Sequence, residues 1–312
     1  MRAFIFPGQG SQSVGMGVAL AEASRAARDT FEQVDEALGQ NLFRLMREGP
    51  EDELKLTENA QPAIMAHALA VFAALTKEGG VKLEKAAQFV AGHSLGEYSA
   101  LCAAGSFDLL TTAKLLKLRG KAMQAAVPVG VGAMAALLGA DLELAQKIAE
   151  AAAEGEICTV ANDNDPSQVV ISGHTGAIER AIEMAKDMGA KRALLLPVSA
   201  PFHCPLMQPA ADAMAEALGR TDIAAPCVPL YANVTAASVA DADIIRVQLV
   251  EQVTGMVRWR ESVANMADAG VDEFIELGGK VLGSMVKRIA PDAKVTSILT
   301  IEDIEALAKE IA

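Results

Sequence analysis

Paired cysteines are missing from this sequence. Its four, Cys102, Cys158, Cys204 and Cys227, are scattered, with no C-x-x-C pair and no histidine at zinc-finger spacing, so no disulfide framework and no metal site is expected. Basic charge is also short: 27 Lys and Arg face 40 Asp and Glu, for a net charge of −13. Phosphate binding depends on a dense basic surface that releases counterions, so this balance argues against nucleic acid and disfavours anionic membranes. Long apolar runs are lacking too. The charge-free stretch 125–140 is too short for a bilayer span and is broken by Pro128, Gly130, Gly132 and Gly139. At the start, apolar residues 3–6 stop at Pro7, short of a signal-peptide core, which points to a cytoplasmic protein. There is no repeat and no low-complexity tract.

What is present is enough apolar material for a large core. At 312 residues and 52% hydrophobic, the chain suits one large domain plus a modest insertion, since single cores stop growing near roughly 250 to 300 residues. Residues 2–6 read as a short buried strand running into Pro7-Gly8-Gln9-Gly10-Ser11, a glycine-rich loop before a helix. Helical patterns follow from 15 to 106, including 62–76, interrupted by a strand at 88–91. Between Pro128 and Pro197 the order is apolar 134–138, helical 142–153, apolar 157–161, apolar 169–171, helical 177–188 and apolar 193–196. That is βαββαβ, a ferredoxin-like arrangement. Then come a strand at 229–233, a helix around 244–253, a strand at 273–277, a helix at 281–289, a strand at 295–299 and a closing helix. The expected architecture is α/β: a large parallel-sheet domain from 1–127 and 198–312, with a ferredoxin-like subdomain at 128–197.

Gly92-His93-Ser94-Leu95-Gly96 fits G-x-S-x-G and lies between an apolar strand and a helical run, the context of a nucleophile elbow. A serine on such a turn is backed by small neighbours and by a helix N-terminus that favours developing negative charge. An ordinary glycine-bounded turn gives the same five letters. The natural oxyanion donors are the Leu95 N–H and one from the Gly8-Gln9-Gly10 loop. The base must come from His67, His93, His174 or His203. His93 points away from its own turn, His67 lies in a helical pattern and His174 falls in a loop of the small subdomain. His203, at the exit from that subdomain, is the best placed, though its spacing also suits a core histidine. No acidic orienter stands out, so a Ser-His dyad held by a carbonyl is expected. Arg119, four residues after Leu115, borders the apolar face of its helix; its fork matches a carboxylate, while the same spacing also suits a snorkelling surface arginine.

With these residues assembled, nearly the whole chain resembles the malonyl-CoA:acyl carrier protein transacylases of fatty-acid synthesis. The resemblance rests on Phe6-Pro7-Gly8-Gln9-Gly10-Ser11-Gln12, Gly92-His93-Ser94-Leu95-Gly96-Glu97, Arg119, Ser199-Ala200-Pro201-Phe202-His203 and Gly279-Lys280-Val281-Leu282, in that order. It implies a hydrolase-like α/β fold and a site between the two domains. It also implies Ser94 as nucleophile, His203 as base and then acid, Arg119 on the malonyl carboxylate, and backbone donors from Gln9 and Leu95. Gln252 is similar to the glutamine whose carbonyl orients the histidine, Gln61 to a pocket glutamine, and Phe202 to the bulky residue of malonyl-selective members. Two departures stand out: no proline precedes Val257, which bears on the Gln252 assignment, and the 277–280 turn looks one residue short. The resemblance further implies malonyl-CoA as substrate, acyl carrier protein as partner, no bound cofactor and a monomer. A serine thioesterase or esterase, a trans-acting polyketide acyltransferase and a non-catalytic scaffold are the rival readings. Lys191, Arg192, Lys280, Lys287 and Arg288 are candidates for a basic docking patch.

Overall fold

A computed structural model describes residues 1–311. Among them, ten strands form two sheets: β1 (Arg2–Phe6), β2 (Phe89–Gly92), β3 (Gly132–Leu138), β4 (Cys158–Asp165), β5 (Gln168–His174), β6 (Arg192–Leu195), β7 (Leu230–Ala232), β8 (Ala237–Val239), β9 (Glu273–Leu277) and β10 (Lys294–Ile298). The larger sheet runs β10-β9-β1-β2-β7-β8, parallel throughout except for β8.

Strand β1 is apolar on both faces because both faces are covered. Phe4 and Phe6 enter one core and Ala3 and Ile5 another, the latter beneath Trp259, Val263 and Val286; all are shielded from solvent. Burying each phenylalanine contributes about 1.5–3 kcal/mol.

The smaller sheet is antiparallel, ordered β4-β5-β3-β6, with helices Leu142–Ala153 and Thr175–Ala185 as its crossovers. The strand alternation sorts its faces. Ala135 and Leu137 pack with Ile148 and Ile178 of the helices, whereas Met134 and Ala136 join the core of the larger sheet. The subdomain therefore shares its second face with the rest of the chain.

Strand β9 and helices Leu142–Ala153 and Val281–Ile289 fall where the periodicity places them. Three expectations need correction. Strand β4 continues from Ala161 through Asn162-Asp163-Asn164-Asp165, a polar run that hydrogen bonding keeps buried. His174 ends β5 and does not lie in a loop. The helix expected from Pro62 begins at Thr57. No helix is long and apolar enough to cross a membrane among the described residues.

The fold's contribution to the site is one of register. Parallel pairing sets Phe6 opposite Gly92, so the loop after β1 and the turn after β2 leave the sheet at the same edge. Open parallel sheets bind ligands at these carboxyl ends.

Candidate active site

The turn after β2 is closed tightly. A Cβ on Gly92 would sit 2.0 Å from the Gly96 carbonyl group, and one on Gly96 would sit 2.3 Å from the Phe6 oxygen. Between them Ser94 takes φ +53°, a left-handed conformation that costs a non-glycine residue about 1–2 kcal/mol. The Ser94 N–H is secured by Asn233 Oδ1 at 2.8 Å, and Asn233 Nδ2 donates to the Gly92 oxygen at 2.7 Å. Helix Gly96–Ala103 starts at once, with its N-terminus beneath the serine.

Ser94 Oγ lies 2.8 Å from His203 Nε2. His203 Nδ1 lies 2.8 Å from the Gln252 backbone oxygen, which can only accept, so Nδ1 carries the proton and Nε2 is left to take one from the hydroxyl. Burial, reinforced by the Arg119 cation, pushes His203 down to about 3. The imidazole is neutral at physiological pH.

Arg119 is buried, not a surface residue. Its Nη1 donates to Gln61 Oε1 at 2.9 Å, and its Nη2 donates to Gln252 Oε1 at 2.8 Å and to Ser94 Oγ at 3.1 Å. Its carbon lies 5.8 Å from the Tyr98 ring centroid, within cation–π range. Nε has no hydrogen-bond partner, and no carboxylate pairs with the guanidinium among the described residues. A buried cation with no carboxylate in direct contact, beside a serine hydroxyl, is chemically suited to receive an anionic group.

The cavity here measures about 570 Å³ and is lined by Gln9, Gln61 and Arg119, by Asn162 and Val170 of the smaller sheet, and by Phe202 beside His203. The N–H groups of Gln9 and Leu95 make no hydrogen bond among the described residues. Of the other histidines, His93 also lines the cavity, whereas His67 and His174 do not. His93 Nε2 is held by Asn164 Oδ1 at 2.8 Å, His174 Nδ1 accepts from the Ile157 N–H at 2.9 Å, and His67 is buried in helix Thr57–Ala73. The basic patch needs one correction: Arg288 pairs with buried Asp165 at 2.8 Å.

Sequence reasoning missed Asn233, Glu97 and the Gln252 side chain. Glu97 is 1% exposed, and its Oε2 accepts from Gln252 Nε2 at 2.9 Å and from the Asn233 N–H at 3.1 Å. Burial pushes its carboxyl up to about 7, against the pull of Gln252, Asn233 and Arg119. Its spacing from Ser94, S-x-x-E, reads as a capping box, which disguised it. Asn233 had a usable signal, a polar residue directly after an apolar strand at the sheet's carboxyl edge.

Comparison with known proteins follows the same lines. The acyl transferase domain family matches residues 3–288. The malonyl CoA-acyl carrier protein transacylase of Escherichia coli K12 is 45% identical over 310 residues, covering 99% of each chain. Among solved structures, an acyl-carrier-protein S-malonyltransferase from Bartonella henselae superposes with a TM-score of 0.97 at 52% identity, covering 99% of both chains. A malonyl-transacylase solved in complex with a type II PKS acyl-carrier protein gives 0.95 at 40% identity, again covering 99% of both.

Proposed function

The chain belongs to the acyl transferase domain family, and on that premise we propose that it is an [acyl-carrier-protein] S-malonyltransferase of fatty-acid synthesis. It moves a malonyl group from malonyl-CoA to the phosphopantetheine thiol of acyl carrier protein. The observation that carries the reading is the buried Arg119 fork beside Ser94 Oγ, which no carboxylate contacts directly.

In the first half-reaction His203 Nε2 takes the Ser94 proton as Oγ attacks the thioester carbonyl. The N–H groups of Gln9 and Leu95 receive the oxyanion, and the N-terminus of helix Gly96–Ala103 adds its dipole. Collapse breaks the C–S bond, the sulfur leaves with the His203 proton, and a malonyl ester remains on Ser94. The carrier thiol then gives its proton to His203 and attacks the ester, and Ser94 recovers the proton as the ester bond breaks. One thioester replaces another at nearly balanced free energy, so the reaction draws on no ATP, metal or bound cofactor.

Arg119 depresses His203 as a base while the site is empty. A malonate carboxylate seated on Arg119 offsets that cation, so the substrate raises the basicity of the group that activates its attack. Acetyl groups bring no such charge. Phe202, buried beside the histidine, narrows the space at the α-carbon.

We assign the catalytic domain to 1–127 and 198–312 and the ferredoxin-like subdomain to 128–197, a division supported by the second sheet falling wholly within 132–195. One chain supplies every group named above, which supports a monomer, and coenzyme A thioesters as substrates support a cytoplasmic enzyme. Lys191, Arg192, Lys280 and Lys287 are exposed and remain candidates for docking an acidic carrier, with Lys280 next to Val281 of the cavity lining. Intact-mass measurement after brief mixing with malonyl-CoA or acetyl-CoA tests the reading. A malonyl adduct that Ser94→Ala abolishes supports it, and equal acetyl labelling overturns the role of Arg119.

A further inference from the structure

Gln252 touches each part of the site with a different atom. Its backbone oxygen accepts from His203 Nδ1, its Oε1 accepts from Arg119 Nη2, and its Nε2 donates to Glu97 Oε2 at 2.9 Å and to the Ser94 oxygen at 3.0 Å. The two ends of a side-chain amide differ in sign: one only accepts and the other only donates. Turned over, Gln252 would present its N–H groups to the guanidinium and its oxygen to a carboxylate, setting donor against donor and acceptor against acceptor. An ionised carboxylate is acceptor-only, and Glu97 makes the shortest contact to Nε2. Glu97 is itself fixed by the Asn233 N–H, and Asn233 anchors the Ser94 turn. Gln61 holds only the other nitrogen of the fork, so on the Nη2 side the Gln252 amide is the one partner besides the Ser94 hydroxyl.

We propose that Glu97 is a positioning residue. By holding the Gln252 amide with Oε1 toward Arg119, it aims the guanidinium at the substrate carboxylate and so sets the preference for malonyl over acetyl groups. The proposal rests on the assignment of Arg119 to that carboxylate. It concerns discrimination, not the Ser94-His203 chemistry, since His203 is held by the Gln252 backbone and that bond survives a turn of the side chain.

The test is steady-state loading of Ser94 from malonyl-CoA and from acetyl-CoA, above neutral pH, for the wild type, Glu97→Met and Glu97→Gln. Met matches the length of Glu but offers Gln252 only a weak, uncharged thioether acceptor. The expected result is a malonyl-CoA KM raised about tenfold or more in Glu97→Met, with a far smaller change for acetyl-CoA, so that the malonyl-to-acetyl ratio collapses. Glu97→Gln, whose Oε1 can accept the same two bonds, should restore the ratio to within about threefold. An unchanged ratio in Glu97→Met, an equal fall with both thioesters, or no rescue by Gln would overturn the proposal. If Glu97→Met does not fold, Glu97→Leu carries the same expectation, because it also removes the carboxylate that holds Gln252 Nε2. A wild type that takes up no malonyl group would instead overturn the functional reading beneath it.

Discussion

Ser94 and His203, 109 residues apart, meet at 2.8 Å with both backbones left-handed, at φ +53° and +58°. Each conformation costs about 1–2 kcal/mol, and each is held by a hydrogen bond from outside its own segment: Asn233 on the Ser94 N–H and the Gln252 oxygen on the His203 ring. The dyad is strained at both ends and braced by the segment 233–252, which neither partner's local sequence contains.

The elbow leaves no room for even one methyl group. Gly92→Ala is expected to abolish malonyl labelling of Ser94, because the new Cβ would meet the Gly96 carbonyl at 2.0 Å and neither backbone can yield without moving Ser94. Soluble yield and intact mass together check this, and normal labelling by a folded Gly92→Ala protein would contradict the geometry.

Removing the guanidinium should make His203 a stronger base in the free enzyme while ruining malonyl selectivity. The Arg119 cation helps hold His203 at about 3, so in Arg119→Ala the imidazole titrates at a higher pH. NMR titration of the His203 ring follows this directly. The malonyl-to-acetyl loading ratio should fall in the same variant, and Arg119→Lys should restore little of it, since an ammonium cannot reproduce the planar fork.

The stability of the protein should carry the signature of Glu97. Its carboxyl is raised from an ordinary 4.5 to about 7, so across that window the folded chain keeps a proton that the unfolded chain releases. Folded protein then binds more protons than unfolded, and stability falls as pH rises from 4.5 to about 7. His203 acts in the opposite direction between about 3 and 6.5, where the unfolded chain binds the extra proton, but it is common to both proteins in a comparison with Glu97→Gln. Urea midpoints should therefore show Glu97→Gln gaining on the wild type through this window and holding its gain above it.

Neighbouring cations on helix Val281–Ile289 should separate docking from stability. Arg288 pairs with Asp165, which is fully buried on the polar half of β4, and Arg260 pairs with Asp163 one pleat earlier. Losing either arginine leaves a buried carboxylate short of donors, at a cost of about 1–3 kcal/mol. Lys287 has no such task. Lys287→Glu is expected to weaken apparent affinity for acyl carrier protein with an unchanged urea midpoint, whereas Arg288→Glu lowers the midpoint.

Read along the chain, the residues specify the local pieces. Apolar strands, the βαββαβ order and the glycine-bounded serine follow from periodicity and from turn chemistry acting over a few residues, and these are visible in any short window. The resemblance of five separated motifs to one family then named Ser94, His203, Arg119, Gln9, Leu95, Gln252, Gln61 and Phe202 together. What tertiary structure decided is which polar groups are buried and what they meet. Arg119 reads equally as a surface arginine until its guanidinium is seen among Gln61, Gln252 and Tyr98. Asn162-Asp163-Asn164-Asp165 falls outside the expected strand until Arg260, His93 and Arg288 are seen to partner Asp163, Asn164 and Asp165. Glu97 has no assigned role along the chain until Gln252, 155 residues away, is seen to donate to it. Burying a polar group is favourable only with its partner in place, and such partners are brought together by sheet register, not by distance along the chain.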